Sequence, residues 1–181
     1  MNESAGTKNS KFGFPGETFR EIITKAVCGK AQKSIKLNEY IKTPDSVVPN
    51  QILGCSVTEL LLNEPEVKDA DNNVITVVAG GVFKINIWYA YNNGKETDVL
   101  KYPVKFAESL ALNDYDCQTA GSLDVRVTVD KSPVVVSSEI TEDHRIKLDV
   151  EMDLSTEVIG ETKMLVQVYV PGCNDDEEEE D

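Results

Sequence analysis

A single histidine, His144, stands in the polar run Thr141-Glu142-Asp143-His144-Arg145, between two segments of alternating apolar residues. An imidazole can serve as a general base, but nucleophilic catalysis also needs a positioned Ser or Cys and a group that orients the base. The sequence shows no sign of either, so a solvated loop histidine is expected. With 32 acidic residues in the chain, chance neighbours among the carboxylates carry no signal of a hydrolytic pair. Cys28, Cys55, Cys117 and Cys173 are widely spaced and form no Cys-x-x-Cys pair, which argues against a zinc cluster and against a thioredoxin-type site. In a reducing cytosol they are expected as thiols, the first three buried as small hydrophobes. Cys173 is expected to be exposed and able to form an intermolecular disulfide under oxidising conditions. Gly80-Gly81 lacks the Gly-Lys-Ser/Thr ending and the following helix of a phosphate loop, so a bulge or sharp bend between two strands is expected there. No catalytic residue, cofactor site or metal site is expected.

The acidity is unevenly placed. Net charge is −14, and Asp175, Asp176, Glu177, Glu178, Glu179, Glu180 and Asp181 supply half of it, leaving the remainder of the chain at −7. Adjacent carboxylates lack the spaced ligands and turn glycine of a calcium loop, and their mutual repulsion keeps such a segment extended and accessible. Both a solubilising and a partner-binding role fit it. An acidic body with a more acidic tail is repelled by phosphates, so nucleic acid is an unfavourable partner. Anionic membrane surfaces are excluded by the same sign, and no apolar run approaches the roughly 20 residues that span a bilayer. Residues 1–16 are polar, without the apolar stretch of a secretory signal.

The elements around these residues are strands. Hydrophobic residues make up 40% of the 181 and charged residues 28%, the balance of a folding chain. From Val74 onward the pattern has period two. Phe83, Ile85, Ile87, Tyr89 and Tyr91 share one face and Trp88 lies on the other, which makes Trp88 the candidate for an exposed or intersubunit contact if the tyrosines fill the core. Asn92-Asn93-Gly94-Lys95 then predicts a hairpin, because Asn and Gly tolerate positive φ. Its return strand aligns Leu100, Tyr102, Val104 and Phe106, with Pro103 marking an edge strand or a bulge. Alternation resumes at Leu123–Val129, at Ile146–Met152 and in a last strand over Met164–Val170 entered through Gly160. Ile52–Leu62 reads as a further strand after a proline-containing connection. Phe19, Ile22, Ile23, Ala26 and Val27 fit a helical stripe, yet the segment is rich in β-branched residues and either state fits. The expected fold is mostly β, an antiparallel sandwich or barrel-like single domain over residues 17–172, with a flexible extension before it and a disordered acidic tail over 173–181.

Phe19-Arg-Glu-Ile-Ile-Thr-Lys-Ala-Val27 with Gly29-Lys30, then Gln51-Ile-Leu-Gly-Cys55, Ile85-Asn-Ile-Trp-Tyr-Ala-Tyr91 with Thr97-Asp98-Val99, and Val158-Ile-Gly-Glu-Thr-Lys163 before an acidic end together resemble the outer spore coat morphogenetic protein CotE family. The order of these blocks extends over nearly everything from about residue 17. Ser56 stands where the family usually has an aromatic residue, and the acidic end is shorter than the family's. The resemblance implies a non-catalytic scaffold, made in the mother-cell cytoplasm of a sporulating bacterium and then deposited in the spore coat. It implies self-association, recruitment by a coat-anchoring morphogenetic protein, and contacts with outer coat proteins. The candidate interaction residues are Phe19, Arg20, Ile22 and Ile23, Trp88, and the tail Asp175–Asp181. The competing reading is a small-molecule or carbohydrate-binding β module around Trp88.

Overall fold

The computed structural model describes residues 17–44, 47–70, 74–113, 115 and 123–169. They form seven strands: β1 (Glu17–Ile41), β2 (Pro49–Leu62), β3 (Glu66–Ala70), β4 (Val74–Tyr91), β5 (Glu96–Ala111), β6 (Asp124–Ile140) and β7 (Ile146–Tyr169), with no helix among the described residues. All pairings are antiparallel. One sheet runs β1-β7-β6, with β7 in the middle. In the other, β4 is central: β5 takes one side, while β2 and then β3 share the opposite side end to end.

Period-two patterning drives this arrangement, because each strand has one apolar face that water disfavours and burial against a second sheet removes it. From β4, Phe83, Ile85, Ile87 and Tyr89 are fully buried; from β7, so are Ile146, Leu148, Met152 and Leu154. Each such side chain contributes on the order of 1.5–3 kcal/mol on leaving water. Phe83 and Phe106 pack with ring centroids 6.1 Å apart. Thr156 is buried among them and donates its hydroxyl to the Arg126 carbonyl at 2.9 Å, so no polar cost remains there. The sheets also meet along one margin: Lys30 bridges Asn113, Lys33 Nζ donates to Glu108 at 2.7 Å, and Tyr102 hydrogen-bonds Glu39. These contacts run β1 and β5 alongside each other in opposite directions.

The hairpin at Asn92–Lys95 forms as expected, with φ of 50°, 55° and 79° at Asn92, Asn93 and Gly94. Pro103 does sit on an edge strand, since β5 pairs with β4 alone. Other expectations change. Ile146–Met152 and Met164 onward are one strand: Gly160 lies inside β7, opposite Ala26, and starts nothing. Gly80 and Gly81 likewise fall inside a continuous β4 and join no two strands, and its register with β5 is unbroken, so no bulge occurs in that pairing. The irregularity is across from them, in β2 between Thr58 and Leu61, where Glu59 adopts a φ of 55°. Glycine is needed at 81 for close approach: a Cβ there would lie 2.4 Å from the Leu61 carbonyl oxygen and 3.1 Å from the Phe106 ring. Gly81→Ala must therefore push strand β2 or the ring aside, and thermal unfolding should show a loss of about 1–3 kcal/mol. An unchanged melting temperature would contradict this packing.

Candidate assembly site

The third strand of the first sheet stops where Asp124 pairs with Ile159. Beyond that point Glu17–Ala26 and Gly160–Tyr169 continue as a ribbon of two strands, past a bulge between Val27 and Gly29. Side chains directly opposite share a face, so Phe19, Ile23, Val27 and Leu165 lie on one side of the ribbon and Ile22, Met164 and Val166 on the other. Both sides are open: Ile23 is 68% and Leu165 71% exposed, and on the reverse Ile22 is 39% and Met164 49% exposed. A salt bridge joins Lys163 to Glu21 across the ribbon at 3.0 Å, with both partners solvated. An isolated two-stranded ribbon is marginally stable in water, and clustered exposed apolar residues are a common mark of an interaction surface.

This geometry explains the helical stripe. Phe19, Ile23 and Val27 fall on one face by even spacing while Ile22 and Ala26 fall on the other, and the two sets together imitate an i, i+3, i+4 pattern. A strand buried on one side could not show it. Arg20 projects with Ile22, opposite Val166. Met164, Leu165 and Val166 belong to the same ribbon; the alternation of Met164, Val166, Val168 and Val170 leaves out Leu165, and three consecutive apolar residues are the signal of a two-sided element.

Trp88 is 54% exposed on the outer face of the second sheet, while Tyr89 is fully buried and Tyr91 half-buried. The register sets Val99 opposite Trp88, Lys101 opposite Asn86, Pro103 opposite Lys84 and Lys105 opposite Val82, all outward. Gly54, Cys55, Ser56, Asn86, Trp88 and Val99 line an open depression of about 340 Å³. Cys55 is half-buried and burial raises its thiol pKa, so it stays protonated and unreactive; Cys28 is buried, as expected. His144 turns the corner between β6 and β7 with a φ of 59°, its N–H donating to the Thr141 carbonyl. The hydrogen bond from Thr141, then Arg145, lower the pKa of neighbouring Asp143. Among the described residues no three His, Cys, Asp or Glu side chains gather closely enough to hold a metal ion, and no helix is long and apolar enough to cross a membrane. Cys117, Cys173 and Asp175–Asp181 lie outside the described residues.

A fold with exposed apolar sheet surface points to assembly but not to a family. The family model for outer spore coat protein E (CotE) matches residues 18–181, from the start of the ribbon through the acidic segment. The chain belongs to the CotE family. It is thereby a spore coat protein of a structural family, and its ribbon, sandwich and acidic end all fall within the matched region. No curated protein and no solved structure gives a match.

The outer face of the first sheet in this CotE-family chain is a lattice of exposed ion pairs. Hydrogen bonding from Lys36, with Lys131 beyond it, holds the Glu151 carboxyl below its ordinary pKa, and Lys30 does the same for Glu157. A carboxyl whose folded pKa is depressed stabilises the fold above the unfolded glutamate range, and that contribution disappears as pH falls through the folded value. Stability should therefore drop on acidification, and Glu151→Gln with Glu157→Gln should flatten the drop measured by thermal melts across pH. A double variant with the wild-type pH slope would contradict the role of these pairs.

Proposed function

We propose that this protein is a non-catalytic scaffold of the outer spore coat, which associates with copies of itself through the β1/β7 ribbon and recruits other coat proteins. The observation that carries the reading is the ribbon, whose two apolar faces have no cover among the described residues. Family membership supports the coat setting. In this reading the protein is made in the mother-cell cytoplasm, a coat-anchoring morphogenetic protein places it around the forespore, and Phe19, Arg20, Ile22 and Ile23 lie in the subunit contact. Trp88 and Asp175–Asp181 are contact residues outside the ribbon, and Cys173 cross-links copies by a disulfide once the surroundings oxidise. The exposed Trp88 beside the open depression favours a second reading, a carbohydrate or small-molecule binding face; a ligand that shifts Trp88 emission in the monomer would support it.

Ile23→Asp with Leu165→Asp tests the ribbon. Both side chains are solvated, so the fold should survive with stability within about 0.5 kcal/mol of wild type, while light scattering should show wild-type mass rising with concentration and the double variant remaining a monomer. A wild-type protein that is monomeric throughout, or a variant that assembles normally, would contradict the proposal. A tagged copy should form a ring or cap around the forespore, and non-reducing electrophoresis of spore extracts should show a dimer that Cys173→Ser removes; a diffuse signal would count against the coat role, and monomer alone against the cross-link.

A further inference from the structure

The outer face of the second sheet differs in charge from the rest of this acidic chain. Lys84, Lys101 and Lys105 project from it around Trp88, Val99 and Pro103. Lys84 is paired with Glu59, but neither Lys101 nor Lys105 has an ion pair among the described residues. From Val99 to Lys105 along β5 is roughly 20 Å, the length of an extended segment of about six residues. The chain's own complement is Asp175–Asp181, seven carboxylates in succession.

The ribbon decides which copy can supply it. Strand β7 ends at Tyr169, paired with Glu17 at the ribbon's tip. The cross-contacts Lys30 with Asn113, Lys33 with Glu108 and Glu39 with Tyr102 place Lys105 level with the stretch of β1 between Lys33 and Glu39. Along β1 that level is some 60 Å from the tip, at about 3.3 Å per residue. Residues 170–181 can extend no further than about 40 Å. Followed along the strand, the acidic segment of one chain falls short of its own lysine face, whereas a neighbour can present one.

We propose that the Trp88, Lys101 and Lys105 face receives the acidic segment 175–181 of a second copy. The inference rests on the reading of that segment as a contact element and names its partner. Donor and acceptor are different surfaces of one chain, so two copies can exchange segments reciprocally, or each copy can serve the next in a ring or an open chain. Carboxylates meet the lysines, and the backbone of the segment covers Trp88 and Val99. Salt weakens the contact, because both partners are solvent-exposed charges.

Trp88 is the only tryptophan and reports the contact. Two full-length variants are needed: one with its tail neutralised, Asp175, Asp176 and Asp181 changed to Asn and Glu177–Glu180 to Gln, and one carrying Lys101→Glu with Lys105→Glu. Wild-type emission should shift with concentration, saturate, and lose the shift at high salt. Each variant alone should show no shift. Their mixture should recover it, since one supplies the face and the other the tail. A silent mixture, a shift in either variant alone, or a wild-type shift independent of concentration would overturn the proposal. Light scattering on the same samples separates the two contacts. Mass that still grows through the ribbon while Trp88 stays silent removes the tail contact only, and a responsive mixture whose mass is unaffected by Ile23→Asp with Leu165→Asp removes the ribbon reading only.

Discussion

The ladder between β1 and β7, twenty-four antiparallel pairs from Glu17 opposite Tyr169 to Ile41 opposite Ile146, is the constraint on which the rest of the molecule depends. Over its inner half β7 is a central strand, with β6 on its other side and a buried face of Ile146, Leu148, Val150, Met152 and Leu154. Over its outer half the same strand pairs with β1 alone among the described residues. The sandwich supplies the free energy that an isolated ribbon lacks, and the ladder, shifted only between Val27 and Gly29, carries that order outward into a surface with no cover among the described residues. The packed core and the exposed apolar ribbon are thus two ends of one strand pair.

The two outer faces divide the electrostatic work. On the first sheet, acids and bases are interleaved closely enough to neutralise one another: Lys30 with Glu157, Lys36 and Lys131 with Glu151, Lys147 with Glu139. Single exposed pairs contribute little, and their collective effect is to keep a wide flat sheet soluble without a strong field. On the second sheet the lysines at 101 and 105 are left over, beside an exposed indole. A chain of net charge −14 that sets Lys101 and Lys105, without ion pairs among the described residues, on one sheet face, and its densest negative charge in residues 175–181, has the ingredients for contact between copies.

The sandwich was legible wherever one face of a strand is buried, because burial imposes alternation: Phe83 to Tyr89, Leu100 to Phe106 and Ile146 to Met152 each read correctly. Legibility failed where that premise fails. In Phe19–Val27 neither face is packed by the sheet opposite, so apolar residues fall on both faces and the segment imitates a helix, while the alternation of Met164, Val166 and Val168 passes over the exposed Leu165 on the other face. Gly160 and Gly80-Gly81 misled for a different reason. Glycine is equally consistent with a break and with close approach of another backbone, and at Gly81 it is the Leu61 carbonyl that requires it. The lysine face was written in the hairpin: once Asn92–Lys95 sets Tyr91 opposite Glu96, Lys101 must fall beside Asn86 and Trp88 beside Val99. Its charge was hidden only because Lys84 and Lys101 are distant in sequence.

The central claim is that the ribbon is an association element stabilised by a second chain. Amide hydrogen exchange resolved along the sequence, recorded at dilute and at assembling concentrations, tests it most directly. The account predicts fast exchange over residues 17–26 and 160–169 in dilute protein and protection that grows with concentration, while β4 and the inner half of β7 stay protected throughout. Equal protection of the ribbon at every concentration, or concentration-dependent protection confined to other strands, would contradict it.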